Sequence, residues 1–293
     1  MPSVPEAMTD KINANLQPQR TLIITIADYD NREYTYNWVE SLKRTNETRF
    51  IIFCMDEKMH QHLKHAGYEP QSILISNPWL HGLPKKTQQG SGAHWSDVSS
   101  FVIQRLLYFD ITVLFAQVDT VWLAPRTREY LRTFLNIRLE THAIFQEAQV
   151  DKVYLNTGFF IMRPTEAMKR LLADAVYIQN HRVKEQESEQ EALSVALQHM
   201  PMDIRYSKIS SLDVMHFPNA HSYFTHRLPQ SRGVQPYIVH TSYLDPDKKK
   251  EILKDHDLWY IDDAYCREID NQVQQSLESP TIHTDPALAN EEN

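Results

Sequence analysis

Cysteine and glycine are scarce in this chain of 293 residues, which has two cysteines and six glycines. Cys54 and Cys266 do not make a disulfide framework, and neither belongs to a CxxC pair of the kind that holds zinc. We therefore expect two free thiols in a reducing compartment. The sequence also lacks a glycine-rich phosphate loop and the HExxH and GxSxG motifs. These absences argue against dinucleotide oxidoreductases, P-loop enzymes and α/β-hydrolases.

Long apolar runs and an excess of basic residues are also missing. No run reaches the roughly 18 apolar residues of a membrane span, and the first 20 residues contain no apolar segment typical of a signal peptide. We expect no transmembrane segment and a cytoplasmic location. The 30 basic and 38 acidic residues give a net charge of −8. That charge argues against a nucleic-acid partner, because such binding depends on basic side chains that neutralise phosphates.

Short apolar runs alternate with amphipathic stretches along the chain. Runs too short for helices predict strands, and stretches with apolar residues three or four apart predict helices. The first five elements have the order β-α-β-α-β, which predicts a parallel sheet covered by helices on both faces. In chain order the predicted elements are strand 21–27, helix 35–43, strand 50–55, helix 57–66, strand 71–75, helix 97–109, strand 112–115, strand 155–162, helices around 168–176 and 192–199, and strand 237–239.

The remaining segments bound the predicted domain. Residues 76–95 are dense in Gly, Pro, Gln and Ser, which predicts a long loop that orders over a ligand as a lid. We predict a single Rossmann-like α/β domain over residues 21–265, with a central, mostly parallel sheet. Residues 1–20 then form a loose polar leader, and residues 266–293 form a polar C-terminal tail.

A polar pair follows the fourth predicted strand, in the segment Gln117-Val118-Asp119. Ligands of open α/β sheets bind beyond the carboxyl ends of the strands. Alternate side chains of an extended segment point the same way, so we expect Gln117 and Asp119 both to face the crevice. Their oxygens suit a hard divalent cation. Asp119 as an ordinary turn residue is the alternative.

Two later strands carry further candidates. In Asn156-Thr157-Gly158, a glycine within a strand indicates close approach of another backbone or of a ligand, and Asn156 can bond a sugar hydroxyl. A bulge at the edge of the sheet is the alternative. His240 ends the late strand, where a histidine can ligate a metal or contact a phosphate. A histidine with a purely structural role is the alternative.

Two weaker signals complete the candidates. Lys248 begins a run of three lysines, one of which could neutralise a diphosphate; a solvated face is the alternative. Glu189 and Gln190 lie near the start of a predicted helix, where surface residues are the common case.

Taken in order, seven segments of the chain resemble the nucleotide-diphospho-sugar transferase family, glycosyltransferase family 77, whose fold is named GT-A. The resemblance spans about residues 21 to 260, and Gln117 stands where the family's Asp-x-Asp motif has its first acid. The segments are TIADYDNREYTYNWVESLKR, FIIFCMDEKMHQHLKHAGY, VLFAQVDTVWLAP, NTGFFIMRPT, SEQEALSVAL, LDVMHFPNAHSYF, and YIVHTSYL with KKKEILKDHDLW.

The resemblance implies a metal-dependent glycosyltransferase that retains the configuration of the sugar. The donor would be a UDP-linked pentose or hexose such as xylose or galactose, and the acceptor a hydroxyl of a glycan or glycoprotein. Asp119 and His240 would bind Mn²⁺ or Mg²⁺, and Asp119, Glu189 and Gln190 would be the catalytic candidates. The donor-binding candidates are Ala27, Asp28, Tyr29, Asn31, Gln117, Val118, Asn156, Gly158 and Lys248.

Two other classes of protein remain open at this point. Gln117 in place of an acid is consistent with a nucleotide-sugar- or glycan-binding protein that has lost catalysis. A structural scaffold in a glycan-assembly complex is the third possibility. Metal-dependent hydrolysis of a nucleotide sugar would separate the enzyme from both.

Overall fold

The computed structural model describes residues 5–75, 95–149, 152–181, 189–262 and 264–278. The strands are β1 Thr21–Ala27, β2 Ile51–Cys54, β3 Ser72–Leu74, β4 Thr112–Ala116, β5 Thr120–Trp122, β6 Ala143–Gln149, β7 Lys152–Met162, β8 Ile209–Leu212 and β9 Ile238–His240. The helices are α1 Glu6–Asn15, α2 Arg32–Arg44, α3 Glu57–His65, α4 Trp95–Tyr108, α5 Thr127–Ile137, α6 Glu166–Asn180, α7 Glu189–His199, α8 Met202–Lys208, α9 Leu228–Ser231, α10 Pro246–Asp255 and α11 Tyr265–Glu278.

A seven-stranded sheet of order β3-β2-β1-β4-β7-β6-β8 forms the centre of the molecule. Strands β1 to β4 are mutually parallel, as the β-α-β-α-β order predicted. Strand β7 runs antiparallel to both of its neighbours, and β6 and β8 are parallel. The predicted α/β class with a mostly parallel sheet is confirmed. The predicted lid, apart from Trp95, lies outside the described residues.

Buried residues pack on both faces of the sheet. Successive side chains of β4 alternate between the two hydrophobic cores, with Val113 in one and Leu114 in the other, as the period of a strand requires. Helices α4, α6 and α7 supply apolar residues to the first core, and α2, α3, α5 and α11 supply the second. This double coverage explains why β1 is apolar along nearly its whole length.

The segments expected to be a loose leader and a mobile tail contain helices packed on the domain. Ile12 of α1 is 3% exposed and belongs to the first core. Cys266 and Ile269 of α11 are 2% and 5% exposed and belong to the second. The expectation of a loose leader was wrong for residues 6–15, and residues 266–278 of the expected tail lie in a helix. Each helix buries only a narrow stripe, so its average composition is polar. The domain boundaries themselves remain predictions.

A second sheet of two strands stands at the carboxyl end of β4. Strands β5 and β9 pair antiparallel, with Thr120 opposite His240 and Trp122 opposite Ile238. The chain leaves β4 at Ala116, turns through residues 117–119 and enters β5. This pairing places the polar turn after β4 beside the end of β9, although the two segments are about 120 residues apart in sequence.

Candidate functional site

Asp119 lies at the junction of these two strands. Its backbone carbonyl accepts a hydrogen bond from the Thr241 amide at 3.1 Å and another from the Thr241 hydroxyl at 3.0 Å. Its carboxylate Oδ1 is 3.2 Å from His240 Nε2, and Oδ2 is 2.6 Å from the Lys249 ammonium. Burial alone would raise the pKa of Asp119, but His240 and Lys249 outweigh it and hold that pKa well below its usual range. The side chain is therefore a carboxylate at neutral pH.

His240 is fully buried, and its ring is oriented by Gln146 of β6. The Gln146 amide donates to the carbonyls of Phe217 and Pro218 at 3.0 and 3.1 Å, which assigns its oxygen to the opposite side. That oxygen lies 2.7 Å from His240 Nδ1, so Nδ1 carries the proton and donates. The remaining nitrogen, Nε2, is thereby directed toward Asp119.

Gln117 adds a third atom that could bind a metal, beside Asp119 Oδ1 and His240 Nε2. Its Oε1 lies 3.2 Å from His240 Nε2, the same distance as Asp119 Oδ1. Because Nδ1 faces Gln146, Nε2 is the ring nitrogen that faces both oxygens. Histidine ligands of metals commonly donate their other nitrogen to an oxygen in this way.

Gly158 allows this group to form. A Cβ at position 158 would lie 2.3 Å from His240 Cε1 and 2.5 Å from Gln117 Oε1, so a larger residue would overlap both side chains. Asn156 supports the glycine by accepting from its amide at 2.8 Å, and its Nδ2 lies 3.3 Å from Ser242 Oγ. The pairing of β6 with β7 also shifts register here, between Phe145 and Gln146. Close approach therefore occurs together with an irregularity of the strand, but in an interior strand and not at the edge of the sheet.

A cavity of about 330 Å³ opens beside this group, within the size range of small-molecule sites. Its wall combines the turn after β4 with the first turn of α2 and the first turns of α10. The lining residues are Asn31, Tyr34, Gln117, Val118, Asp119, Pro246 and Lys249. The sequence singled out four of these, and it missed Tyr34, Pro246 and Lys249.

Several other predicted site residues lie near the cavity without lining it. Ala27 is buried at the end of β1, and Asp28 Oδ1 accepts from the amide and side chain of Asn31 at 3.0 and 2.8 Å. Tyr29 turns its hydroxyl toward Asp270 of α11. Lys248 is exposed on α10, whereas its neighbour Lys249 reaches Asp119. Glu189 and Gln190 begin α7, but their side chains lie outside the described set.

The donor set fits a divalent cation in its chemistry. A carboxylate oxygen, an amide oxygen and an imidazole nitrogen suit Mn²⁺, and the oxygens alone suit Mg²⁺. Over the residues that the structure describes, no group of three or more His, Cys, Asp or Glu could hold a metal. The candidate ligands are therefore the pair Asp119 and His240, with Gln117 as the third contact. Gln146 is the residue that orients the histidine, and its sequence signal was an amide within the apolar run AIFQ.

No helix within the described ranges is long and apolar enough to cross a membrane.

Comparison with known proteins finds sequence similarity to sugar transferases. The chain is 22% identical over 287 residues to the UDP-galactose:fucoside alpha-3-galactosyltransferase of Dictyostelium discoideum, covering 82% of this chain and 43% of that protein. It is 23% identical over 294 aligned positions to Arabinosyltransferase XEG113 of Arabidopsis thaliana, covering 89% and 44%. The chain thus spans less than half the length of the curated relatives it matches.

Solved structures show a similar fold. The WbbM bifunctional glycosyltransferase matches with a TM-score of 0.56 at 13% identity, covering 88% of this chain and 52% of that one. The glycosyltransferase GlyE of Streptococcus pneumoniae matches with a TM-score of 0.52 at 13% identity, covering 88% and 64%. These similarities show the GT-A fold alone. A family model described as nucleotide-diphospho-sugar transferase matches residues 45–253, well over half of the chain, and the chain therefore belongs to the nucleotide-diphospho-sugar transferase family.

Proposed function

We propose that the chain transfers a sugar from a UDP-linked donor to a hydroxyl of a glycan or glycoprotein, with a divalent metal. The observation that carries the proposal is the convergence of Asp119 Oδ1 and Gln117 Oε1, from two residues of the cavity wall, on His240 Nε2, which is buried behind them, with both oxygens 3.2 Å from the imidazole nitrogen. Family membership supplies the reaction class, and this group supplies a place for a cation beside a diphosphate.

Asp119 and His240 would hold Mn²⁺ or Mg²⁺. A cation bound there supplies positive charge against the departing diphosphate. The protein's part is to fix the two ligands in advance. Gln146 fixes the imidazole, and Thr241 fixes the backbone of Asp119. Ligands that need no rearrangement make the site ready for the charge that develops as the bond breaks.

Lys249 contributes a second positive charge at the same place. Its ammonium lies 2.6 Å from Asp119 Oδ2, on a side chain long enough to exchange that contact for a phosphate oxygen. Lys249 therefore takes the role that the sequence assigned to Lys248. Asn31 and Tyr34 line the part of the cavity formed by α2, and we assign them to the ribose and base of the donor. Gln117 would bond the donor ribose or sugar through its amide.

The transfer breaks the bond between the anomeric carbon and the diphosphate oxygen, and forms a bond from the acceptor oxygen to the same carbon. The hydroxyl proton leaves with the nucleoside diphosphate. The resemblance to a retaining family supports attack from the face that the leaving group vacates. The names of the two curated relatives, a galactosyltransferase and an arabinosyltransferase, support a hexose or a pentose. A cytoplasmic location stays a prediction.

The contact between Lys249 and Asp119 also suits a second candidate, a nucleotide-sugar-binding protein without catalysis. An ammonium bound to the carboxylate reduces the charge available to a metal, and Gln117 supplies no negative charge of its own. Slow release of free sugar from a nucleotide sugar, dependent on metal, would exclude this candidate.

Thermal unfolding with UDP, Mn²⁺, both, and both with EDTA tests the proposal. We expect stabilisation only when UDP and Mn²⁺ are present together. A ligand at a hundred times its Kd stabilises the native state by about 2.7 kcal/mol. ADP and GDP in place of UDP test the choice of base. An equal shift in EDTA would exclude the metal role, and no shift with any nucleoside diphosphate would exclude the function.

A further inference from the structure

A second polar network lies between the turn that follows β1 and the C-terminal helix α11. Asp270 of α11 is its centre. The Tyr29 hydroxyl donates to Asp270 Oδ1, and Arg32 Nη2 lies 3.3 Å from Asp270 Oδ2. His62 Nε2, from α3, lies 3.3 Å from Oδ1. One carboxylate thus joins side chains from three segments of the chain.

Tyr29 is held at several points. The Lys58 ammonium lies 3.5 Å from the centre of its ring, and the Arg32 guanidinium lies 4.2 Å from it. Its backbone amide donates to Asp56 Oδ2 at 2.9 Å. Burial and the hydrogen bond to Asp270 raise the pKa of Tyr29 to about 12, so its hydroxyl remains a donor at neutral pH. The ring is therefore an anchor of the turn.

The anchored residues lie on both sides of Asn31, which lines the cavity. Arg32 donates to the Tyr29 carbonyl through its amide and its Nη1, both at 3.2 Å. Asp28 Oδ1 holds the amide and side chain of Asn31. The turn from Asp28 to Arg32 is therefore held by hydrogen bonds within it. Asp270 binds it through Tyr29, two residues before Asn31, and through Arg32, the residue after it.

We propose that Asp270 is a positioning residue for the donor. By holding Tyr29 and Arg32, it keeps Asn31 in the orientation that binds a nucleoside diphosphate, so binding does not have to order the turn. This inference rests on the proposed function of the cavity. It assigns a role in donor affinity to α11, which contributes no residue to the cavity wall. A binding site ordered in advance has higher affinity because less conformational entropy is lost on binding.

Two variants test the network without introducing a larger side chain. Asp270→Asn keeps the shape and removes the charge, and Tyr29→Phe keeps the ring and removes the donor. We expect each to raise the Kd for UDP with Mn²⁺ about fivefold, with turnover at saturating donor within about twofold of wild type. The double variant should match Asp270→Asn, because the contact that Tyr29→Phe removes is one of those that Asp270→Asn already weakens. Glu268→Gln, an exposed change on the same helix, is the matched control and should leave Kd unchanged.

The outcomes separate this inference from the function on which it rests. If the wild-type chain binds no nucleoside diphosphate, the proposed function fails and the inference fails with it. If the wild type binds and both variants bind equally well, the inference alone is overturned. A fall in turnover without a change in Kd, or additive effects in the double variant, would also overturn it. Thermal unfolding of each variant without ligand shows whether the fold is intact.

Discussion

Two buried histidines of this protein each face a carboxylate at nearly the same distance. His240 Nε2 is 3.2 Å from Asp119, and His62 Nε2 is 3.3 Å from Asp270. Both rings are 0–1% exposed. Each ring also has a neighbour at its other nitrogen, a glutamine oxygen at 2.7 Å for His240 and a tyrosine oxygen at 2.6 Å for His62.

The pairs differ in what surrounds the carboxylate. Asp119 lines a cavity and contacts Lys249, a flexible cation. Asp270 is bound by Tyr29 and Arg32, which are themselves held in place, although its side chain is the more exposed of the two carboxylates, 28% against 14%. A histidine beside a carboxylate is therefore a candidate ligand pair where the carboxylate lines a cavity and has a flexible partner. The same two residue types serve as a brace where the carboxylate is bound by side chains that are themselves anchored.

The largest expected effect comes from a substitution of Asp119, the carboxylate that lines the cavity. Asp119→Asn keeps the shape and removes the charge that holds a dication. We expect turnover of a UDP-sugar donor at saturating Mn²⁺ to fall on the order of a thousandfold, with the fold intact. Gln117→Ala should be milder, because Gln117 is neutral. Near-normal turnover in Asp119→Asn together with an inactive Gln117→Ala would contradict the assignment of the metal ligand.

Gly158→Ala should displace His240 from its partner. The added Cβ would meet His240 Cε1 at 2.3 Å, and overpacking of this kind costs about 1–3 kcal/mol of unfolding free energy. We also expect loss of the Mn²⁺-dependent thermal shift with UDP. Gly67→Ala is the control: its Cβ has no atom within 4 Å, and its φ of +83° makes it destabilising without a clash. A retained UDP shift in Gly158→Ala would show that His240 is not required.

Gln146 contacts Nδ1 of His240, and Tyr36 contacts Nδ1 of His62. Substitution of each gives a matched pair of variants. Gln146→Leu and Tyr36→Phe each remove the polar partner of a histidine Nδ1. Both should lower the unfolding free energy, measured with urea, by about 1–3 kcal/mol because a buried polar group is left unpaired. Only Gln146→Leu should also weaken Mn²⁺ binding, by about tenfold or more. Equal metal affinity in the two variants would remove the distinction between the pairs.

The smallest expected effect is a dependence of stability on pH at Asp270. Burial alone would raise the pKa of Asp270, but the Tyr29 hydroxyl and Arg32 outweigh it and lower that pKa. A carboxyl with a lowered pKa stabilises the fold above its ordinary pKa of about 3.9 and loses that contribution as the pH falls through the lowered value. The difference in unfolding free energy between wild type and Asp270→Asn should thus be full at pH 7 and shrink below about pH 4. A difference that grows in acid would contradict this network.

The central sheet could be predicted because its strands are short apolar runs that are recognisable in the local sequence. The run Thr21–Ala27 is too short and too apolar for anything but a doubly covered strand, and it is buried along its length. Asp119 and His240 were singled out separately at strand ends, the resemblance paired them, and the structure brings them together. Gln117 and Asp119 do share the cavity wall, although through a turn rather than through the alternation of a strand.

The residues that the sequence missed depend on distant parts of the chain. Lys248 and Lys249 are equivalent in sequence, and only the path of α10 decides which one reaches Asp119. Gln146 became an orienting residue because β6 lies beside β7, close to the end of β9. Tyr29 turned away from the cavity because α11, expected to be a tail, supplies Asp270.

The sequence by itself determined the class of fold and the order of its elements, because hydrophobic periodicity and turn chemistry act over a few residues. It also determined which polar residues stand at strand ends, where ligands of α/β proteins bind. Only the tertiary structure decided which of two histidine–carboxylate pairs has its carboxylate in a cavity wall and which has its carboxylate bound by anchored side chains. That outcome depends on contacts such as Asp270 with Tyr29, 241 residues apart, and no local pattern carries information over that distance.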